Sequence, residues 1–154
     1  MGRYQRARTI DIPQLLLLAG KLWPHATAAE LKREFVESIR GRSKTVIVLR
    51  ADDQTIVAFI ILSIRNDYVE GSSSSPVAYV EGIFVDSRHR RAGIGRDLIG
   101  QAERWAKSHK CRQLASDTEI HNRRSRAFHQ RVGFTDANHV VCYIKNLGEG
   151  ITNR

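Results

Sequence analysis

Cysteine is scarce in this 154-residue sequence: Cys111 and Cys142 stand 31 positions apart and neither belongs to a CxxC pair. That excludes a disulfide framework and gives no zinc-ligand spacing, so no metal is expected. Two reduced thiols fit a reducing compartment, and a cytoplasmic protein is expected. Long apolar runs are missing as well. The longest, Leu15–Ala19 and Ile56–Leu62, fall far short of the roughly 18 residues that span a bilayer, and read as core elements. The basic start, Met1–Arg8, has no apolar stretch followed by a small-residue cleavage site, so no signal peptide is expected.

Acidic residues are also in short supply: 16 Asp and Glu face 25 Lys and Arg, giving a net charge of +9. Such a balance raises nucleic acid as a partner. The arginines are clustered, however, as Arg88, Arg90, Arg91 and Arg96, and again as Arg123, Arg124, Arg126 and Arg131. Aromatic residues at base-stacking spacing are not evident. Both clusters adjoin segments that suit an anionic cofactor, so no nucleic acid and no membrane is expected as partner.

The length fits one domain able to bury its own core. A single domain over residues 1–147 is expected, with 148–154 as a loose tail. Tyr4–Ala7 reads as a short strand. Asp11-Ile12-Pro13 reads as a helix start with Asp11 as N-cap, the helix running to about Leu22 and stopped by Pro24. Thr27-Ala28-Ala29-Glu30 is a capping-box pattern, followed by an apolar stripe at Leu31, Phe35 and Ile39. Thr45–Leu49 and Thr55–Ile64 read as strands of a hairpin turning at Asp52-Asp53, and Val77–Val85 as a strand apolar enough to be central. Gly95–Lys110 reads as a helix burying Leu98, Ile99, Ala102, Trp105 and Ala106. A strand at Gln113–Ser116, a helix at Asn122–Val132 ended by Gly133, and a last strand at His139–Ile144 complete the pattern. Helices first, then a strand meander, then alternating strands and helices predict a mixed α/β (α+β) sheet, antiparallel early with a crossover later.

Between the central strand and the long helix lies Arg90-Arg91-Ala92-Gly93-Ile94-Gly95. Two glycines at a strand-to-helix junction let the backbone turn several N–H groups toward one point, and the helix adds its free N–H groups and positive dipole end. An anion such as a pyrophosphate fits there. The G-x-G-x-x-G spacing of a dinucleotide fold is missing. Glu81 stands in the otherwise apolar strand, where a carboxylate is costly unless a cation pairs it. Asp117 lies just past a short strand, and Glu119 is close behind it.

The Arg90–Gly95 segment resembles the acetyl-CoA loop of the GNAT superfamily of N-acetyltransferases, whose pattern is Gln or Arg, two residues, Gly, one residue, then Gly or Ala. Asn122-Arg123-Arg124-Ser125 followed by Gly133-Phe134 resembles the superfamily's Asn…Gly-Phe segment. A wider string is similar to the aminoglycoside 6′-N-acetyltransferases: Leu22-Trp23-Pro24, Ile64-Arg65, Tyr68-Val69, Ser75–Ala78, Glu81–Ile83, Trp105–Lys107, Ala115–Asp117 and His129-Gln130. The resemblance implies a mostly antiparallel central sheet flanked by helices, acetyl-CoA as co-substrate and an aminoglycoside acceptor. It further implies a bacterial resistance function and a homodimer. It assigns cofactor contacts to Ile83, Phe84, Val85, the loop Arg90, Arg91, Ala92, Gly93, Ile94 and Gly95, and Asn122 and His129. It assigns acceptor contacts to Trp23, His25, Tyr68, Glu81, Asp117, Asp136 and Asn138, with Glu81 or Asp117 as proton acceptor. His129 holds the place where many members carry the tyrosine that protonates the leaving thiolate. His25-Ala26 replace an acidic residue and His of the relatives, and Asp136 stands in for an acidic residue they carry near Asn138. An acetyltransferase for protein, peptide or other small amines is the alternative within the fold; a basic nucleic-acid-binding module is the alternative outside it.

Overall fold

The computed structural model describes residues 2–148. Five strands form one sheet in sequential order: β1 (Arg3–Arg6), β2 (Lys44–Arg50), β3 (Ile56–Arg65), β4 (Val77–Val85) and β5 (Leu114–Ser116). Pairing is antiparallel through β4, and β5 joins β4 in parallel. The parallel step requires a crossover, which α3 (Ile94–Ser108) supplies. Helices α1 (Ile12–Leu22) and α2 (Ala28–Arg40) cover one face, where Leu15 and Phe35 pack on Phe59 and Phe84. On the other face Leu98, Ala102 and Trp105 of α3 pack on Ile60, Leu62, Ala78 and Val80. Covered on both faces, β3 reads as a continuous apolar run rather than an alternation. A last helix, α4 (Arg123–Arg131), is capped by Asn122, whose Oδ1 accepts the Ser125 N–H at 3.1 Å.

The capping box at Thr27 forms: Thr27 Oγ1 accepts the Glu30 N–H, and Glu30 accepts the Thr27 N–H at 2.8 Å. Asp11 does not cap α1. A 3-10 turn over Thr9–Asp11 precedes the helix, and Asp11 itself has helical φ and ψ of −83° and −12°. From that conformation its carboxylate turns back to the Arg8 N–H at 2.7 Å and pairs with buried Arg50, also at 2.7 Å.

The expected strand at His139–Ile144 is likewise not formed. Residues 135–147 carry no regular structure, and Val141, Tyr143 and Ile144 are 75%, 92% and 94% exposed. β-Branched and aromatic content predicts a strand only when a neighbouring edge accepts it, and none of the described strands pairs there. The expected tail, 148–154, falls outside the described residues apart from Gly148.

Candidate active site

The site is set by a parting of strands. Pairing between β4 and β5 covers only Ala78–Val80 against Leu114–Ser116, so Glu81–Val85 have no neighbour on that side. The β3–β4 register also slips at this point, Ile61 facing Gly82 and Leu62 facing Val80, which leaves Glu81 as the extra residue of a bulge. A bulge of this kind turns a side chain away from its regular position.

Along the parted end of β4 runs a crevice of about 1030 Å³. Ile83, Phe84 and Val85 form one wall, Arg90, Arg91 and Gly93–Arg96 another, and Asn122–Ser125 with Phe128 and Arg131 a third. Lys21, Arg90, Arg91, Arg96, Arg123, Arg124 and Arg131 line it, and no carboxylate does. The N-termini of α3 and α4 both open onto it, so free backbone N–H groups add to this field. Arg91 and Gly93 have positive φ, 63° and 78°, the alternation that turns successive N–H groups inward as an anion nest. A pyrophosphate and further phosphate fit this lining.

The two glycines answer different demands. Gly93 has open space around it, and its left-handed φ is what excludes other residues. A Cβ on Gly95 would stand 2.8 Å from the Phe128 ring, so Gly95 lets α4 close on α3. Arg90 is tied back by its Nε–H to the Val85 carbonyl at 2.9 Å, with its guanidinium 5.5 Å from the Phe84 ring. It therefore fastens the loop to β4. Of the expected cofactor residues, Ala92 and His129 do not line the crevice. His129 accepts the Ser116 hydroxyl at Nε2 (2.8 Å), while its Nδ1 lies 2.7 Å from the Ser125 carbonyl. A carbonyl can only accept, so Nδ1 carries the proton and both ring nitrogens are engaged.

On the sheet face opposite α3 the side chains form a different assembly. Glu81 accepts the Ser63 hydroxyl and a fork from Arg65, whose Nε lies 3.2 Å from Oε1 and whose Nη2 lies 2.9 Å from each carboxylate oxygen. The Arg65 guanidinium lies flat on Tyr79, 3.5 Å from the ring centroid, and the Tyr79 hydroxyl donates to Asp117. Burial first, then the bond to Asp117, pushes the Tyr79 hydroxyl well above its usual pKa, so the proton stays on the phenol. Ser63, Arg65 and Tyr79 were not read as site residues from sequence. Strand alternation places Ser63 opposite Tyr79, yet the bulge that brings Glu81 alongside them leaves no sequence signal.

Trp23 ends α1 with its ring over Gly82, where any Cβ would collide, and 6.4 Å from the Phe59 centroid. It thus packs in the core and also borders Glu81. His25 is exposed in the turn that follows. Tyr68 is 78% exposed, its hydroxyl 3.4 Å from Glu70. Glu70 also accepts from Asn138, and Gly71 packs on Ala137, so the loop after β3 meets the C-terminal segment. Asp136 lies 3.3 Å from His139 and 3.6 Å from Arg126; the His139 hydrogen bond first, then the Arg126 charge, hold it below the usual carboxylate range. The structure therefore joins Glu81 to Asp117, sets Trp23 beside them, and gathers Tyr68 and Asn138 around Glu70.

A family profile described as the acetyltransferase (GNAT) family matches residues 10–134. The aminoglycoside N(6′)-acetyltransferase type 1 of Serratia marcescens is 41% identical over 133 residues, 86% of this chain and 91% of that one. Its counterpart in Acinetobacter baumannii is 39% identical over 86% of this chain and 90% of its own. Among solved structures, AAC(6′)-Iy in complex with the bisubstrate analog CoA-S-monomethyl-acetylneamine superimposes with a TM-score of 0.89 at 31% identity, covering 95% of this chain and 99% of that chain. AAC(6′)-Ih from Acinetobacter baumannii gives 0.89 at 35% identity over 96% of this chain and all of the other.

Proposed function

The chain belongs to the GNAT acetyltransferase family, and we propose that it acetylates the 6′-amine of aminoglycosides. The observation that carries this reading is the contrast across β4. A crevice lined by cations and free of carboxylate lies along one side, and Glu81 and Asp117 lie on the other. The first suits the phosphates of a CoA carrier and the second a polyammonium acceptor. The acceptor named for the relatives is of that second kind.

Acetyl-CoA supplies an acetyl group activated as a thioester. Arg91, Gly93 and the first turns of α3 and α4 hold its phosphates, and the open side of Ile83–Val85 receives the arm that carries the acetyl group. The amine must give up a proton before it can attack the thioester carbon. Asp117 is the better placed acceptor, because Glu81 is already covered by Arg65 and Ser63, whereas Asp117 is exposed and passes the proton on to solvent. The amide C–N bond forms as the C–S bond breaks, and the second proton that the nitrogen sheds balances the one the departing sulfur takes up. His129 orients Ser116 at the point where β4 and β5 part. Trp23, His25, Tyr68, Asp136 and Asn138 border the acceptor.

The chain acts in the bacterial cytoplasm as a homodimer and confers aminoglycoside resistance. Support for the dimer comes from the stretch Val140–Ile144, in which Val140, Val141, Tyr143 and Ile144 are 65%, 75%, 92% and 94% exposed and with which no described strand pairs. Tyr143→Asp should shift the species measured by light scattering from two copies to one; an unchanged mass would remove the dimer.

The function is tested by release of CoA thiol from acetyl-CoA over a panel of aminoglycosides that includes one compound without a 6′-amine. Turnover on kanamycin and tobramycin, and none on that compound, is expected. No turnover on any of them, with turnover on a peptide amine, would overturn the acceptor.

A further inference from the structure

Arg65 is a charged group at the acceptor face that the reaction above leaves without a task. It follows on that reading: its role presumes that an amine docks beside Asp117. Its guanidinium sits between two carboxylates, forked onto Glu81 and laid over the Tyr79 ring whose hydroxyl binds Asp117. Tyr79 keeps its proton, so Arg65, Glu81 and Asp117 together carry one net negative charge. Two bare carboxylates would carry two. The groups facing Arg65 are Glu81 and Tyr79 of β4 and Asp117 after β5; Asp67 and Glu70 follow on its own loop, both exposed, with Glu70 turned to Tyr68 and Asn138.

We propose that Arg65 is a positioning residue that keeps Glu81 from holding the acceptor as an ammonium ion, so that Asp117 takes the proton of the docked amine and leaves it neutral and reactive. Two physical effects combine. A permanent cation lowers the proton affinity of an amine docked within a few ångströms. The fork also occupies both Glu81 oxygens, so the amine gains no second carboxylate that would stabilise its charged form. Binding is weaker than two free carboxylates would give, and turnover is faster in exchange.

The test compares the wild type with Arg65→Met and Arg65→Lys, using kanamycin as the probe. Arg65→Met should lower the KM for kanamycin several-fold and lower kcat at neutral pH. It should also move the midpoint of the rise of kcat with pH upward by about one unit. Arg65→Lys should return the midpoint toward the wild-type value, because the charge is restored without the fork. A second readout does not depend on turnover. Titration calorimetry in two buffers of different ionisation heat counts protons released on docking, and Arg65→Met should release fewer than the wild type. A purely structural Arg65 predicts the opposite pattern: a raised KM, an unmoved pH midpoint and unchanged proton release, and that result would overturn the proposal. If the wild type neither binds nor acetylates kanamycin, the acceptor reading itself fails and this role falls with it.

Discussion

On the crevice side of β4 the site is made mostly from short stretches of chain, within residues 83–85, 89–96 and 122–132; on the acceptor side it is made from single residues drawn from positions 23, 65, 79, 81 and 117. The crevice works through backbone N–H groups and repeated cations, and several residues there do the same job. Each acceptor residue instead depends on particular partners: Arg65 and Ser63 for Glu81, Tyr79 for Asp117, Gly82 and Phe59 for Trp23. A field spread over many groups loses little with any one of them. A chain of single contacts fails at the link removed.

The sharpest way to break the contrast is Asp117→Asn. It removes the proposed proton acceptor and keeps the shape, so kcat/KM for kanamycin should fall about 100-fold. Acetyl-CoA binding, measured by calorimetry, should be unchanged. A comparable loss in acetyl-CoA binding would show the two sides to be one unit.

A crevice variant with a large effect must move backbone rather than delete a charge. Gly95→Val does so, since its Cβ would meet Phe128 and push α4 from α3. Overpacking of this kind costs about 1–3 kcal/mol, so the acetyl-CoA KM should rise about tenfold. The kanamycin KM should stay where it is. Arg124→Ala, which removes one of seven cations, should change the acetyl-CoA KM far less.

That division also decides how much the sequence disclosed. The phosphate loop and the α4 cap are contiguous, and their residues state their own geometry: Gly93 takes the left-handed turn, and Asn122 caps the helix behind it. The buried stripe of α3 and the span of β4 follow from period alone. The Arg65–Glu81 fork depends on a bulge in the β3–β4 register, which no local pattern encodes. Asp11 looked like a cap because its true partner, Arg50, is 39 positions away. His139–Ile144 has strand composition, but none of the described strands pairs with it.

Salt gives a smaller separation. The crevice gathers seven cations without a carboxylate, while the acceptor trio of Arg65, Glu81 and Asp117 sums to one negative charge. Screening lengths fall to about 10 Å at 0.1 M salt, so the larger field has more to lose. The acetyl-CoA KM should rise several-fold between low salt and about 0.5 M, and the kanamycin KM by less. Equal slopes would mean that the crevice cations are not aimed at the carrier.

The smallest effect concerns the residue that hands β4 to the phosphate loop. Asp86 is buried; its carboxylate accepts the Arg88 N–H at 3.1 Å and lies 3.6 Å from Lys21 of α1. The hydrogen bond from Arg88 first, then the Lys21 and Arg88 charges, hold it below the usual carboxylate range. A carboxyl that is more acidic when folded stabilises the fold above its unfolded pKa, about 3.9, and loses that contribution as pH falls through its folded value. Asp86→Asn keeps an acceptor for Arg88 and removes the charge. The wild type should therefore melt at a higher temperature than the variant at pH 6, and the gap in Tm should narrow as the pH falls below about 4. Since Asp86 frames only the crevice, the pH midpoint that depends on Arg65 should be the same in both proteins. A shifted midpoint would mean that the loop and the acceptor face are coupled through the end of β4, and the separation of the two sides would not hold.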